Sequence, residues 1–134
     1  MTSFVPTICP YCGTGCGILL ISKDGKVVGT RPWTEQIISG GSLCIKGWHA
    51  HEFIHHKDRL TKPLVKDGDS FREIEWDEAL KIITDRLGEI REKNGPDSLG
   101  FLTSAKCSNE ETYLVQKLAR AVIGTNNVDH CARL

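Results

Sequence analysis

The sequence predicts an α+β chain, with small β-hairpins around a cysteine-rich loop at its N-terminal end and the opening of an α/β domain after them. Three observations carry that prediction. Two Asp-Gly dipeptides stand between short runs of aliphatic and β-branched residues, one long stretch repeats its apolar residues with a helical period, and a strand-like, a helix-like and a second strand-like segment follow one another towards the end.

Taken in order, Cys9, Cys12 and Cys16 lie in a loop with Gly13, Gly15 and Gly17. Ile18-Leu19-Leu20-Ile21 and Val27-Val28 flank Asp24-Gly25, a dipeptide that tolerates the positive φ angles of a tight turn, which predicts an antiparallel hairpin. Arg31 to Ser42 has little periodicity and ends in Ser39-Gly40-Gly41-Ser42, a flexible approach to Cys44. Lys46 to Ile54 predicts a short helix, followed by an irregular descent to Pro63. Asp67-Gly68, between Leu64-Val65 and Phe71-Arg72-Glu73-Ile74, predicts a second hairpin. Trp76-Asp77-Glu78-Ala79-Leu80 opens the clearest helix, with Leu80, Ile83, Leu87 and Ile90 on one face and Asn94-Gly95-Pro96 as the stop. Ser98 to Thr103 predicts a short buried strand, Asn109 to Ile123 a helix closed by Gly124, and Asn127-Val128-Asp129 the entry to a new strand. That is the start of a βαβ unit, incomplete at Leu134, and a parallel sheet needs further strands and covered faces; a fragment of a longer chain is expected.

Bulk properties remove whole classes of function. Seventeen Lys and Arg balance seventeen Asp and Glu, and without clustered cations to displace condensed counterions no nucleic-acid partner is expected. No stretch approaches the roughly 18 apolar residues of a membrane span. Met1-Thr2-Ser3-Phe4-Val5-Pro6 has neither a basic n-region nor an apolar h-region, so a cytoplasmic location is the expectation. A chain of this size buries about two thirds of its unfolded surface without needing disulfides, so the six cysteines need another explanation.

Cys9-x-x-Cys12-x-x-x-Cys16 followed at a distance by Cys44 is a four-thiolate set. Four thiolates suit zinc or a cubane iron–sulfur cluster. Structural zinc usually takes two paired C-x-x-C knuckles, whereas here three candidates come from one loop and one from afar, which favours the cubane; zinc and plain structural thiols are the alternatives. The spacing departs from the bacterial ferredoxin run, so a simple small ferredoxin is disfavoured. Glycines beside the thiols let backbone amides approach the sulfurs and hold negative charge. His49, His51, His55 and His56 have no carboxylate or thiol frame around them and read as surface or interface residues rather than as a metal site. Cys107 lies outside the four-thiolate set and reads equally as a small packing residue.

Cys9-Pro10-Tyr11-Cys12-Gly13-Thr14-Gly15-Cys16, Leu43-Cys44-Ile45-Lys46-Gly47, Trp76-Asp77-Glu78-Ala79-Leu80, Asn109-Glu110 and the stretch from Ala119 to Leu134 together resemble the N-terminal part of the molybdenum- or tungsten-bis-pyranopterin oxidoreductases. The long terminal match resembles the catalytic subunits of formate dehydrogenases in particular. The resemblance implies a small N-terminal iron–sulfur domain over residues 1–60 and the start of a molybdopterin-binding α/β domain over 61–134. It implies that Cys9, Cys12, Cys16 and Cys44 ligate a 4Fe–4S cluster and that Lys46 lies between cluster and proximal pterin as an electron relay, where a cation orients two anionic groups. It also implies that the loop Ser104 to Glu110 contacts the guanine dinucleotide, with Lys106 and Asn109 as the contacts; Ser108 or Asn109 doubles as the cap of the following helix. His130 occupies a spot that is Cys in some relatives.

The leading expectation is therefore part of a formate dehydrogenase catalytic subunit, taking two electrons from formate to give carbon dioxide and passing them singly through the cluster to an iron–sulfur or flavin acceptor subunit. A free-standing iron–sulfur electron-transfer module and a zinc-stabilised structural domain are the alternatives. Relatives continue the Cys-Ala-Arg-Leu tail with a metal-ligating Cys or selenocysteine and then a His, so an end at Leu134 is expected to reflect a UGA codon read as stop, with the isolated chain unstable and inactive.

Overall fold

The computed structural model describes residues 1–131. The chain forms two compact units: Met1–Arg59 with Leu102–Val115 and the segment starting at His130, and Leu60–Phe101 with Gln116–Asp129.

The first unit is built on an antiparallel sheet of β1 (Thr2–Ile8), β2 (Gly17–Lys23) and β3 (Lys26–Pro32), in that order. The expected hairpin is β2–β3: Lys23 pairs with Lys26, and Asp24 and Gly25 turn at φ 51° and 79°, the doubly left-handed geometry whose twist matches paired strands. A register shift at Ile21/Ser22 leaves Val28 as a bulge. β1 is an addition to the expectation. It carries Pro6, which argues against a central strand but is tolerated at the sheet's edge, where β1 lies. The β1–β2 connection is the cysteine loop itself, and the Cys9 N–H donates to the Cys16 carbonyl at 2.8 Å just beyond the Ile8–Gly17 pair.

Cys9, Ile18 and Ala50 form the buried centre of this unit, with Tyr11, Cys16, Leu20 and Leu43 packed against them. The helix expected through Ile54 is only α1 (Ile45–Trp48); beyond it the chain makes successive i→i+3 turns. The histidines explain the difference. His51 Nδ1 bonds the buried Thr30 hydroxyl at 3.1 Å, and His55 Nε2 accepts the Val27 N–H of edge strand β3 at 3.0 Å, so tertiary ties to the sheet override the helical tendency.

In the second unit β4 (Leu64–Asp67) and β5 (Ser70–Glu73) form the second expected hairpin, with Gly68 at φ 59° and Asp69 as the turn; Asp67 itself belongs to the strand. The long helix α2 (Trp76–Asn94) runs as expected to Gly95, at φ 85°. Its apolar stripe is not core, however. Leu80 and Ile83 are 53% and 51% exposed, Leu87 and Ile90 are half-buried, and the one buried residue of the helix is Ala79. A turn at Pro96–Ser98 delays the next strand, so β6 is Phe101–Ser104 rather than starting at Ser98, and Leu102 in it is 82% exposed rather than buried.

The helix α3 (Asn109–Lys117) continues as a wider π-helical turn over Leu118–Ile123 and ends at Gly124, φ 90°, whose N–H donates to the Ala119 carbonyl at 2.9 Å. Thr125 is buried and its hydroxyl donates to the Asp97 carboxylate at 2.7 Å, while Arg91 Nε donates to the Ile123 carbonyl at 2.8 Å. β7 (Val128–Cys131) lies beside β6, giving the expected strand–helix–strand succession. No helix among the described residues is long and apolar enough to cross a membrane.

Candidate functional site

All four thiols of the predicted set line one cavity of about 850 Å³ in the first unit. The local folds explain how they meet. Cys9 follows β1 and Cys16 precedes β2, so closure of the hairpin brings them together across the Cys9–Cys16 backbone bond, with Cys12 on the loop between. The Cys12 thiol donates to the Thr14 hydroxyl at 3.3 Å. Cys44 arrives on a separate segment as the residue that opens α1, its carbonyl accepting the Trp48 N–H at 3.1 Å.

Burial pushes the Cys9 thiol above its usual range; the Tyr11 N–H opposes this, and the charges of Cys12, Cys16 and Cys44 add to it. Four sulfurs near enough to repel one another as thiolates need a positively charged core to neutralise them. All four thiols face the same cavity. That donor set and that space fit a polynuclear cluster.

Lys46, on α1, lines the same cavity and also a shallower hollow of about 550 Å³ formed with Tyr11, His49, Glu52, Phe53 and His56. Lys106 and Asn109 line the large cavity too, as do Cys107 and His130. Ser108 is the cap of α3: its hydroxyl accepts the Glu111 N–H at 3.3 Å and its own N–H donates to the Glu111 carboxylate at 2.7 Å, a reciprocal capping box. Asn109, next to it, donates from Nδ2 to the Gly13 carbonyl at 2.7 Å. The Cys131 sulfur lies 3.2 Å from the Ser104 hydroxyl and accepts the Ala105 N–H at 3.4 Å.

Gln36 escaped the sequence reading. It lies in the stretch without periodicity, yet its Nε2 donates to the Gly15 carbonyl at 3.3 Å. No sequence signal marks such a residue, because three of its four partners are backbone groups. The expectation about the chain's end at Leu134 lies outside the described residues.

A thiol-lined cavity in a small β unit, with the loop that leads into α3 on the same cavity, defines a protein equipped to hold a metal cofactor. Residues 2–56 match the family model of the molybdopterin oxidoreductase Fe4S4 domain, and residues 59–134 match that of the molybdopterin oxidoreductase domain. The chain belongs to the molybdopterin oxidoreductase family, whose two domains here carry a 4Fe–4S cluster and a molybdopterin. It is 51% identical over 131 residues to the F420-dependent formate dehydrogenase 1 subunit alpha of Methanococcus maripaludis, covering 98% of this chain and 19% of that protein. It is also 51% identical over 127 residues to the probable oxidoreductase YjgC of Bacillus subtilis, covering 95% of this chain and 13% of that one. The acetylene hydratase of Pelobacter acetylenicus superposes with a TM-score of 0.71 at 27% identity, over 93% of this chain and 18% of that chain. The chain thus spans about a fifth or less of the length of these relatives.

Proposed function

We propose that this chain is part of a formate dehydrogenase catalytic subunit and supplies its electron exit. The observation that carries the reading is the meeting of Cys9, Cys12, Cys16, Cys44 and Lys46 with the Ser104–Cys107 loop on one cavity. On this reading residues 1–60 form the cluster domain and 61–134 begin the cofactor domain. The fold alone does not choose the reaction, since a hydratase shares it; similarity to several formate dehydrogenase alpha subunits favours formate.

The four thiolates would hold the cluster, each at one iron corner. The Lys46 ammonium would stand between cluster and pterin, holding two anionic groups in register and donating hydrogen bonds along the electron path. Lys106 and Asn109 would contact the dinucleotide, where the positive end of α3 favours phosphate oxygens. When bound, the pterin-held metal supplies the two-electron chemistry and the cluster one-electron storage. Formate gives carbon dioxide, one proton and two electrons, and the electrons go to an iron–sulfur or flavin acceptor subunit.

Anaerobic purification with iron, sulfide and zinc analysis tests the first half of this reading, and formate-driven reduction of the cluster in the full-length subunit tests the second. Four irons per chain and a signal reduced by formate are expected. Zinc in place of iron, or an iron-loaded full-length subunit that formate leaves oxidised, would overturn it.

A further inference from the structure

The cysteine loop is held by two side-chain amides, one 21 and the other 96 residues further along the chain. Cys12-Gly13-Thr14-Gly15-Cys16 contains two glycines, one at φ 73°, and such a segment left alone has easily turned peptide planes. Two of its carbonyls are nevertheless pinned. The Gly13 carbonyl accepts from Asn109 Nδ2 at 2.7 Å, and the Gly15 carbonyl accepts from Gln36 Nε2 at 3.3 Å.

Neither amide is adventitious. Gln36 Oε1 accepts the N–H groups of Ile38 and Ser39, each at 3.0 Å, and the Ser39 hydroxyl at 3.3 Å, which fixes the face that Nε2 turns to Gly15. The fit is close: a Cβ on Gly17 would lie 2.5 Å from Gln36 Cβ, and one on Gly13 would lie 2.8 Å from Asn109 Oδ1 and push the amide aside. Because a trans peptide is planar with C=O and N–H opposed, fixing the Gly13 and Gly15 carbonyls also fixes the N–H groups of Thr14 and Cys16, which point away from the two amides.

We propose that Asn109 and Gln36 are positioning residues that orient the Thr14 and Cys16 amides for the cluster sulfurs and thereby raise its reduction potential. Hydrogen bonds to cluster sulfurs stabilise the reduced, more negative state, so an amide held in place favours electron uptake. The inference rests on the cluster reading above and adds two residues that hold no iron.

The test is a redox titration, followed by electron paramagnetic resonance, of the full-length subunit loaded with iron anaerobically. Asn109→Leu and Gln36→Met keep size and charge while removing the donors, and each should lower the midpoint potential at unchanged iron content. Ser3→Ala, which removes an exposed hydroxyl on β1, should leave the potential where it was. Should Asn109→Leu fail to hold iron, Asn109→Gln decides: a donor on a longer arm that restores iron supports the proposal, and one that does not overturns it. Parent-like potentials in both donor-less variants, or an equal shift from Ser3→Ala, also overturn it. A parent chain that takes up no iron overturns the cluster reading and this inference together, so the two failures are distinguishable.

Discussion

Cys107 lies on the same cavity as the four candidate ligands, and this makes the ligand assignment open to a sharp test at the level of single side chains. We predict that Cys9→Ser, Cys12→Ser, Cys16→Ser and Cys44→Ser each abolish iron content and the broad visible absorbance, because every one removes a corner ligand. Cys107→Ser should keep both; equal loss would sink the assignment. Lys46 calls for a kinetic measurement. In the complete enzyme Lys46→Ala should leave the cluster assembled and slow its reduction after rapid mixing with formate, and an unchanged rate would refute the relay role. The four thiols could be singled out in the sequence because their spacing is itself chemistry, and Lys46 because of the resemblance; the structure brings all five to one cavity. Gln36 could not be singled out, since any loop offers carbonyls and the choice of this amide is made by folding.

Among the elements, the end of α3 depends on one backbone conformation. Gly124 sits at φ 90° and takes the Ala119 carbonyl, a left-handed position that side chains resist. Gly124→Ala should cost about 1 kcal/mol, read as a lowered midpoint in chemical denaturation. An unchanged midpoint would mean that the turn relaxes without strain. Both hairpins and both long helices could be read from turn dipeptides and periodicity, because these signals act over a few residues. β1 could not, since Pro6 speaks against a strand until the sheet order makes it an edge. The helix after Cys44 was overread because His51 and His55 bind β3 from 20 or more residues away, as their sequence separations of 21 and 28 record.

For the molecule as a whole, periodicity identified an apolar stripe on α2 without saying what covers it. Leu80 and Ile83 are exposed in the described structure, as are Trp76 and Phe71 in the same unit. Contiguous exposed apolar surface binds hydrophobic dyes. The 134-residue chain should therefore enhance the fluorescence of an anilinonaphthalene dye, and Leu80→Lys combined with Ile83→Lys should reduce that signal while the helical circular dichroism persists. Undiminished dye fluorescence would place the sticky surface elsewhere.

The two rims of the three-stranded sheet differ in what they offer to another molecule of the same kind. Pro6 leaves β1 one donor short, and on β3 the Val27 N–H is already taken by His55 beside the bulge at Val28. A strand arriving from a neighbouring molecule would find an interrupted ladder at either rim, which discourages fibre growth by edge-to-edge addition. Pro6→Val would restore the missing donor, and thioflavin fluorescence at matched concentration should then rise faster than in the parent; identical growth curves would show that this rim is not where polymerisation is restrained. The residue that hides β1 from a reader of the sequence thus also keeps β1 from being extended by its own copies.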